Sequence, residues 1–162
     1  MRAILRSVRS ALTFTAALLL PLVGSSAVAS AQVDPRAHTW HLEDFGDAQR
    51  MCVHYSPDRV HGSYFLFAVT GAWSTNLRFG VHGLPPGWTA TEGHLAPGSN
   101  HPDPDDGSFR INGGMSVSGP ASVPIDVYDG KIWVSDGVVT ETTAVEIVVT
   151  TASWLECMQA RD

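Results

Sequence analysis

Apolar and polar residues alternate with a period of two along much of this chain. Leu77, Phe79 and Val81 alternate with Arg78, Gly80 and His82, the pattern of a strand with one buried and one wet face. Val123, Ile125 and Val127 repeat it, as do Val145, Ile147 and Val149, while Met51, Val53 and Tyr55 form a shorter set. Residues 63–70 (SYFLFAVT) are apolar on both faces, which predicts a central strand. Phe109 and Ile111 begin a strand that Gly113 and Gly114 are expected to bend or interrupt. No segment carries a sustained helical stripe with caps, so the pattern predicts an all-β fold.

Turn chemistry agrees with that prediction. Asp129-Gly130 and Asp136-Gly137 each lie between apolar runs and are expected to close tight hairpins, because Asp-Gly adopts the positive φ such turns need. Residues 96–107 (APGSNHPDPDDG) hold three prolines, two glycines and three aspartates, a composition expected to stay out of any sheet as a long exposed loop. The strands number about seven to nine, enough for a two-sheet sandwich.

Composition changes this picture at the N-terminus. Arg2, Arg6 and Arg9 precede an apolar run at residues 11–23, and Ala29-Ser30-Ala31 follows, so residues 1–31 read as a secretory signal peptide. Residues 32–162 would then form a single β-sandwich domain with seven basic and sixteen acidic residues, a net charge of −9. That charge excludes a basic nucleic-acid surface and favours neutral glycans or basic protein patches over anionic polymers. The apolar run is broken by Pro21 and is shorter than the roughly 20 residues of a membrane span, and no second such run follows. An extracellular location makes a Cys52–Cys157 disulfide the expected state of the two cysteines.

The phrase GLPPGW at residues 83–88, Leu95-Ala96-Pro97-Gly98, and the later WVSDG and AVEIVV resemble bacterial immunoglobulin-like and cadherin-like accessory domains over about residues 63–150. The segments TWHLEDF, MCVHY, GSYF, GAWST and VSDG make the mature chain similar to small secreted actinobacterial proteins of a domain-of-unknown-function family. The resemblance implies an immunoglobulin-like sandwich. It adds no substrate, because its motifs are those of turns. The antibody-type pattern is not followed, since the second cysteine lies beyond the last strand.

Candidate chemistry is sparse. Seven histidines invite a metal reading, but His38 and His41 differ in strand parity and are expected to face opposite ways. His54 and His61 are separated by turn residues, and no metal-ligand spacing is present. Scattered surface histidine is the expectation, with no metal site and no cofactor. His101, Asp103 and Asp105 are candidate ligand-binding residues of the acidic loop, although counting from Asp103 fails the EF-hand pattern and a solvated loop is the simpler account. Among Trp40, Trp73, Trp88, Trp133 and Trp154, core filling is the general expectation. Trp73 is the best candidate for exposure and Trp88 a second ring beside a turn, so Trp73→Ala is expected to leave folding nearly intact. Trp133, between Ile132 and Val134, is open to either face. His82 with Glu92, or His101 with Asp103, can be drawn as acid–base pairs, but so many histidines and carboxylates produce such pairs by chance. No nucleophile elbow or phosphate loop is present.

These residues point to a secreted, non-catalytic binding or interaction module for a cell-wall glycan or an extracellular protein. Its expected surface is the 96–107 loop with the turns at 71–76 and 83–88. A small secreted hydrolase or metal-binding protein using loop histidines and carboxylates is the alternative.

Overall fold

The period of two carries through to which side chains the fold buries. The structure is a computed structural model that describes residues 38–160. The expected signal peptide lies outside those residues. Ten strands form among them: β1 (Trp40–Leu42), β2 (Gln49–His54), β3 (Val60–Gly71), β4 (Leu77–His82), β5 (Thr89–Ala90), β6 (Gly93–Leu95), β7 (His101–Pro102), β8 (Phe109–Pro120), β9 (Asp126–Ser135) and β10 (Thr140–Thr150). One sheet runs in the order β1-β3-β8-β5, with β7 also on β8, and the other in the order β2-β10-β9-β4-β6. Phe65, Phe67 and Val69 of β3 and Met115 and Val117 of β8 share one buried apolar cluster with Ile132 and Val134 of β9 and Val145, Ile147 and Val149 of β10. Two sheets with one shared core make an immunoglobulin-like sandwich, the fold class expected. The strand count exceeds the expected range because β5 and β7 have only two residues each.

Several local expectations are corrected. Asp129-Gly130 closes no hairpin: β9 runs through it, with Asp129 opposite Glu146 and Gly130 opposite Val145 on β10. A side chain at Gly130 would meet Val145 Cγ2 at 2.9 Å and the His82 carbonyl at 3.0 Å, so the glycine makes room for close neighbours. The second dipeptide does turn. Gly137 has φ +92°, and the Asp136 carboxylate accepts hydrogen bonds from the Val138 and Val139 N–H groups at 2.8 and 2.7 Å.

Gly113 and Gly114 lie inside an unbroken β8, where a Cβ on Gly113 would sit 2.5 Å from the Phe67 ring. Residues 63–70 do form a central strand, β3 between β1 and β8, but its second face is only partly covered: Ala68 is buried, whereas Tyr64 and Leu66 are exposed. Of the set Val123, Ile125 and Val127, only Val123 is buried, and the strand starts at Asp126. The 96–107 segment is partly paired: His101 and Pro102 lie opposite Arg110 and Phe109. Pro102 is tolerated because β7 is short and bonded to β8 alone.

A helix unforeseen by the apolar pattern, α1 (Trp154–Gln159), follows β10. Its capping box was legible as Ser153-x-x-Glu156: the Ser153 hydroxyl accepts from the Glu156 N–H, and the Glu156 carboxylate accepts from the Ser153 N–H. The expected disulfide joins Cys157 on this helix to Cys52 on β2. Arg50 adds to that closure, donating to Glu146 on β10 at 2.8 Å and to the Ala160 carbonyl at 2.6 Å.

Candidate functional site

Alternation along β9 decides the candidate surface. Ile132 and Val134 point into the core, so Trp133 projects from the outer face of its sheet. It lies opposite Gly80 on β4 and Thr142 on β10. A Cβ on Gly80 would meet the indole Cζ2, Cε2 and Nε1 atoms at 2.8–2.9 Å, so that edge of the ring rests where any other residue would carry a side chain. Its Nε1 is buried there without a hydrogen-bond partner. The His82 ring stacks beside the indole, with centroids 5.4 Å apart and planes 15° from parallel. A groove of about 350 Å³ opens over these rings, lined by Arg78, His82, Trp133, Ser135, Gly137 and Thr140. It offers an aromatic wall and a guanidinium, while the Ser135 and Thr140 hydroxyls at its rim bond to each other at 2.8 Å. The arrangement suits stacking and hydrogen bonding.

The tryptophans chosen from sequence are elsewhere. Trp73 is 9% exposed and donates its indole N–H to the Ala96 carbonyl at 2.9 Å. Trp88 is also buried, over Gly119, with its indole N–H on the Pro120 carbonyl at 3.0 Å and the His61 ring stacked on it. An exposed platform at Trp73 and Trp88 is therefore not formed, because both indoles cover the core and hydrogen-bond to the backbone. Burial beside Trp88 lowers the pKa of His61 below its ordinary value.

His101 sits on β7 at the start of β8, whereas Trp88 lies against the other end of β8, so the two do not share a surface. Asp103 accepts from the Asp105 N–H at 2.9 Å and from Arg110 at 3.3 Å. Arg110 in turn donates to Glu43 at 2.6 Å. Asp103 thereby braces its turn. The histidine–carboxylate pairs that chance was expected to produce in sequence have other partners: Glu92 pairs with Arg78 at 3.9 Å, His82 stacks on Trp133, and Asp103 accepts from Arg110.

The parity reading of His38 and His41 is also corrected. His38 lies before β1 begins and is not bound by strand alternation, and both imidazoles reach Glu141 on β10. These three are the residues whose donor atoms converge closely enough to hold a metal ion among those described. A further cavity of about 390 Å³ lies beside the disulfide, lined in part by His54, Arg59, His61 and Trp154. Trp154 is 65% exposed at the start of the short terminal helix. No helix among the described residues is long and apolar enough to cross a membrane.

Among solved structures, the chain is similar to an ASH/PapD-like domain of human CEP192 (PapD-like domain 7). That likeness has 8% sequence identity and a TM-score of 0.39, and covers 82% of this chain and all of the other. No curated protein matches the sequence. A family model described as a family of unknown function, DUF5980, matches residues 41–151. That span takes in every strand from His41 to the end of β10, and the chain belongs to the DUF5980 family.

Proposed function

We propose that this chain is an exported, non-catalytic binding module that holds a glycan in the groove beside Trp133. The observation that carries the reading is the seat of Trp133. Its ring edge rests on Gly80 and His82 stacks beside it, so the indole is held in position before any ligand arrives. Sugar rings present C–H faces that pack on indoles, and their hydroxyls suit the Arg78 guanidinium and the acceptor side of the Thr140 hydroxyl, which line the same groove. A disulfide is in keeping with an extracellular location. A protein partner is the second reading, favoured by exposed Tyr64 and Leu66 on the outer face of β3.

The test is depletion of purified protein by insoluble cell-wall polysaccharides, comparing wild type with Trp133→Ala, Arg78→Ala and Trp154→Ala. Circular dichroism serves as the check on folding. Binding that Trp133→Ala abolishes, that Arg78→Ala weakens and that Trp154→Ala leaves intact is the expected result. Depletion by none of the polymers, or depletion unchanged by Trp133→Ala, overturns the glycan reading. The protein reading then takes its place.

A further inference from the structure

His38, His41 and Glu141 come from chain segments a hundred residues apart and meet where the two sheets adjoin. His38 precedes β1, His41 is the middle residue of β1 in one sheet, and Glu141 is the second residue of β10 in the other. Glu141 has the same strand parity as Thr143, Val145, Ile147 and Val149, all buried, so its carboxylate points inward at the end of the sandwich. There Oε2 accepts the Leu42 N–H at 2.5 Å, while Oε1 lies 2.5 Å from His38 Nε2 and 3.1 Å from His41 Nδ1. All three ligand atoms lie within 4.8 Å of one another. A tetrahedral ion with bonds of about 2.0–2.1 Å needs donors roughly 3.3 Å apart, which small side-chain rotations here supply.

We propose that His38, His41 and Glu141 form a three-ligand site for a divalent transition-metal ion of the Zn²⁺ or Cu²⁺ type, which clasps β1 of one sheet to β10 of the other. The donor set selects the ion. Two imidazoles and one carboxylate suit zinc and copper, whereas Ca²⁺ and Mg²⁺ need an oxygen shell that these residues lack.

The supporting residues are those a metal site requires. The Leu42 N–H holds Oε2, so Oε1 is the oxygen turned toward both imidazoles, and the His38 ring packs against Trp40 with centroids 4.7 Å apart. Trp40 is itself anchored, through its indole N–H, to Asp136 at 3.1 Å. The His38 and Glu141 side chains are 19% and 24% exposed and that of His41 is 65% exposed, so the site has two sheltered ligands and one at the rim. A fourth position would be filled from solvent.

The experiment is a calorimetric titration of untagged, chelator-treated protein with ZnCl₂, run on wild type, His41→Ala, Glu141→Gln and His94→Ala. Wild type is expected to take up one Zn²⁺ per chain. The loss of a ligand in His41→Ala or Glu141→Gln should weaken binding by at least about 10–100-fold, the range seen when even an outer partner is removed. His94, exposed on β6, is the control for stray imidazole binding and its loss should change nothing.

His41 is mostly exposed, so its replacement should leave the fold in place, and proton NMR of the wild type gives a reading independent of any variant. Added Zn²⁺ should shift the ring signals of two histidines, His38 and His41, first. An absence of saturable binding, binding indifferent to both ligand substitutions, or first shifts at other histidines would each overturn the site. None of these results bears on the Trp133 groove, which uses different residues.

Discussion

Trp73, Trp88 and Trp133 divide according to what lies on either side of each ring. Trp73 and Trp88 fill the edge of the core and hydrogen-bond to carbonyls, whereas Trp133 rests on the outside of a sheet. Trp73→Ala is therefore expected to cost about 3–5 kcal/mol, like a core aromatic, and not to leave folding nearly intact. Trp133→Ala should cost much less, since the side chain lies outside the shared core. Urea denaturation of the two variants decides it: equal losses would mean that Trp133 is structural and weaken the case for a recognition surface. Gly113→Ala gives a sharper residue test, because a Cβ there would press into the Phe67 ring at 2.5 Å, and a loss of about 1–3 kcal/mol is expected from overpacking. None of the partners that decide these outcomes is adjacent in sequence. Trp133 sits in an apolar run, Ile132-Trp133-Val134, but Lys131 and Ser135 share its parity, so the polar neighbours two residues away mark its face as the wet one.

At the scale of elements, two identical dipeptides show how far local chemistry reaches. Asp136-Gly137 turns because Asp136 caps two backbone N–H groups and Ser135 faces Thr140 across the hairpin. Asp129-Gly130 has the same letters but continues a ladder, since Gly130 lies in close contact with β10 on one side and the end of β4 on the other. Asp136→Ala is expected to lower stability by about 1 kcal/mol, read from the same denaturation curves, whereas Gly130→Ala should cost more because Val145 and the His82 carbonyl must move.

The disulfide acts at this scale too. It links β2, parallel to β10, to the helix that follows β10, across a separation of 105 residues. Replacing both cysteines by alanine should remove up to about 4–5 kcal/mol by the chain-entropy model, seen as a lower urea midpoint. An unchanged midpoint would mean that Arg50 and the β2–β10 ladder hold the closure alone.

The whole molecule should lose stability in acid in two stages. His61 is harder to protonate folded than unfolded, because burial disfavours its cation, so its contribution is complete above about pH 6.5 and declines as pH falls from there toward the folded value. Asp136 loses its contribution in the same direction, at lower pH. Hydrogen bonds from Val139 and Val138, with help from the Trp40 indole, hold its carboxyl low, so its contribution is complete above about pH 4 and is lost as pH falls through the folded value. Melting temperatures measured from pH 8 to pH 3 in chelator should show both declines, and His61→Gln should flatten the upper one. A flat profile between pH 7 and 5 in wild type would contradict the partial burial of His61 beside Trp88.

Much of this molecule was legible in order along the chain. Alternating Leu77-Phe79-Val81 and Val145-Ile147-Val149 specify half-buried strands, because a strand's side chains must alternate whatever it pairs with. Two cysteines with no metal-ligand spacing around them read as a bridge, which Cys52 and Cys157 form, and sixteen carboxylates against ten cations give the chain its negative charge. Tertiary structure decided what depends on meeting a distant partner. Gly80 beneath Trp133, Phe67 against Gly113, the parallel seat of β2 on β10, and the convergence of His38, His41 and Glu141 all arise from sheet register and from the joining of two sheets. Those contacts are spatial, and alternation along one strand carries no information about the strand across from it.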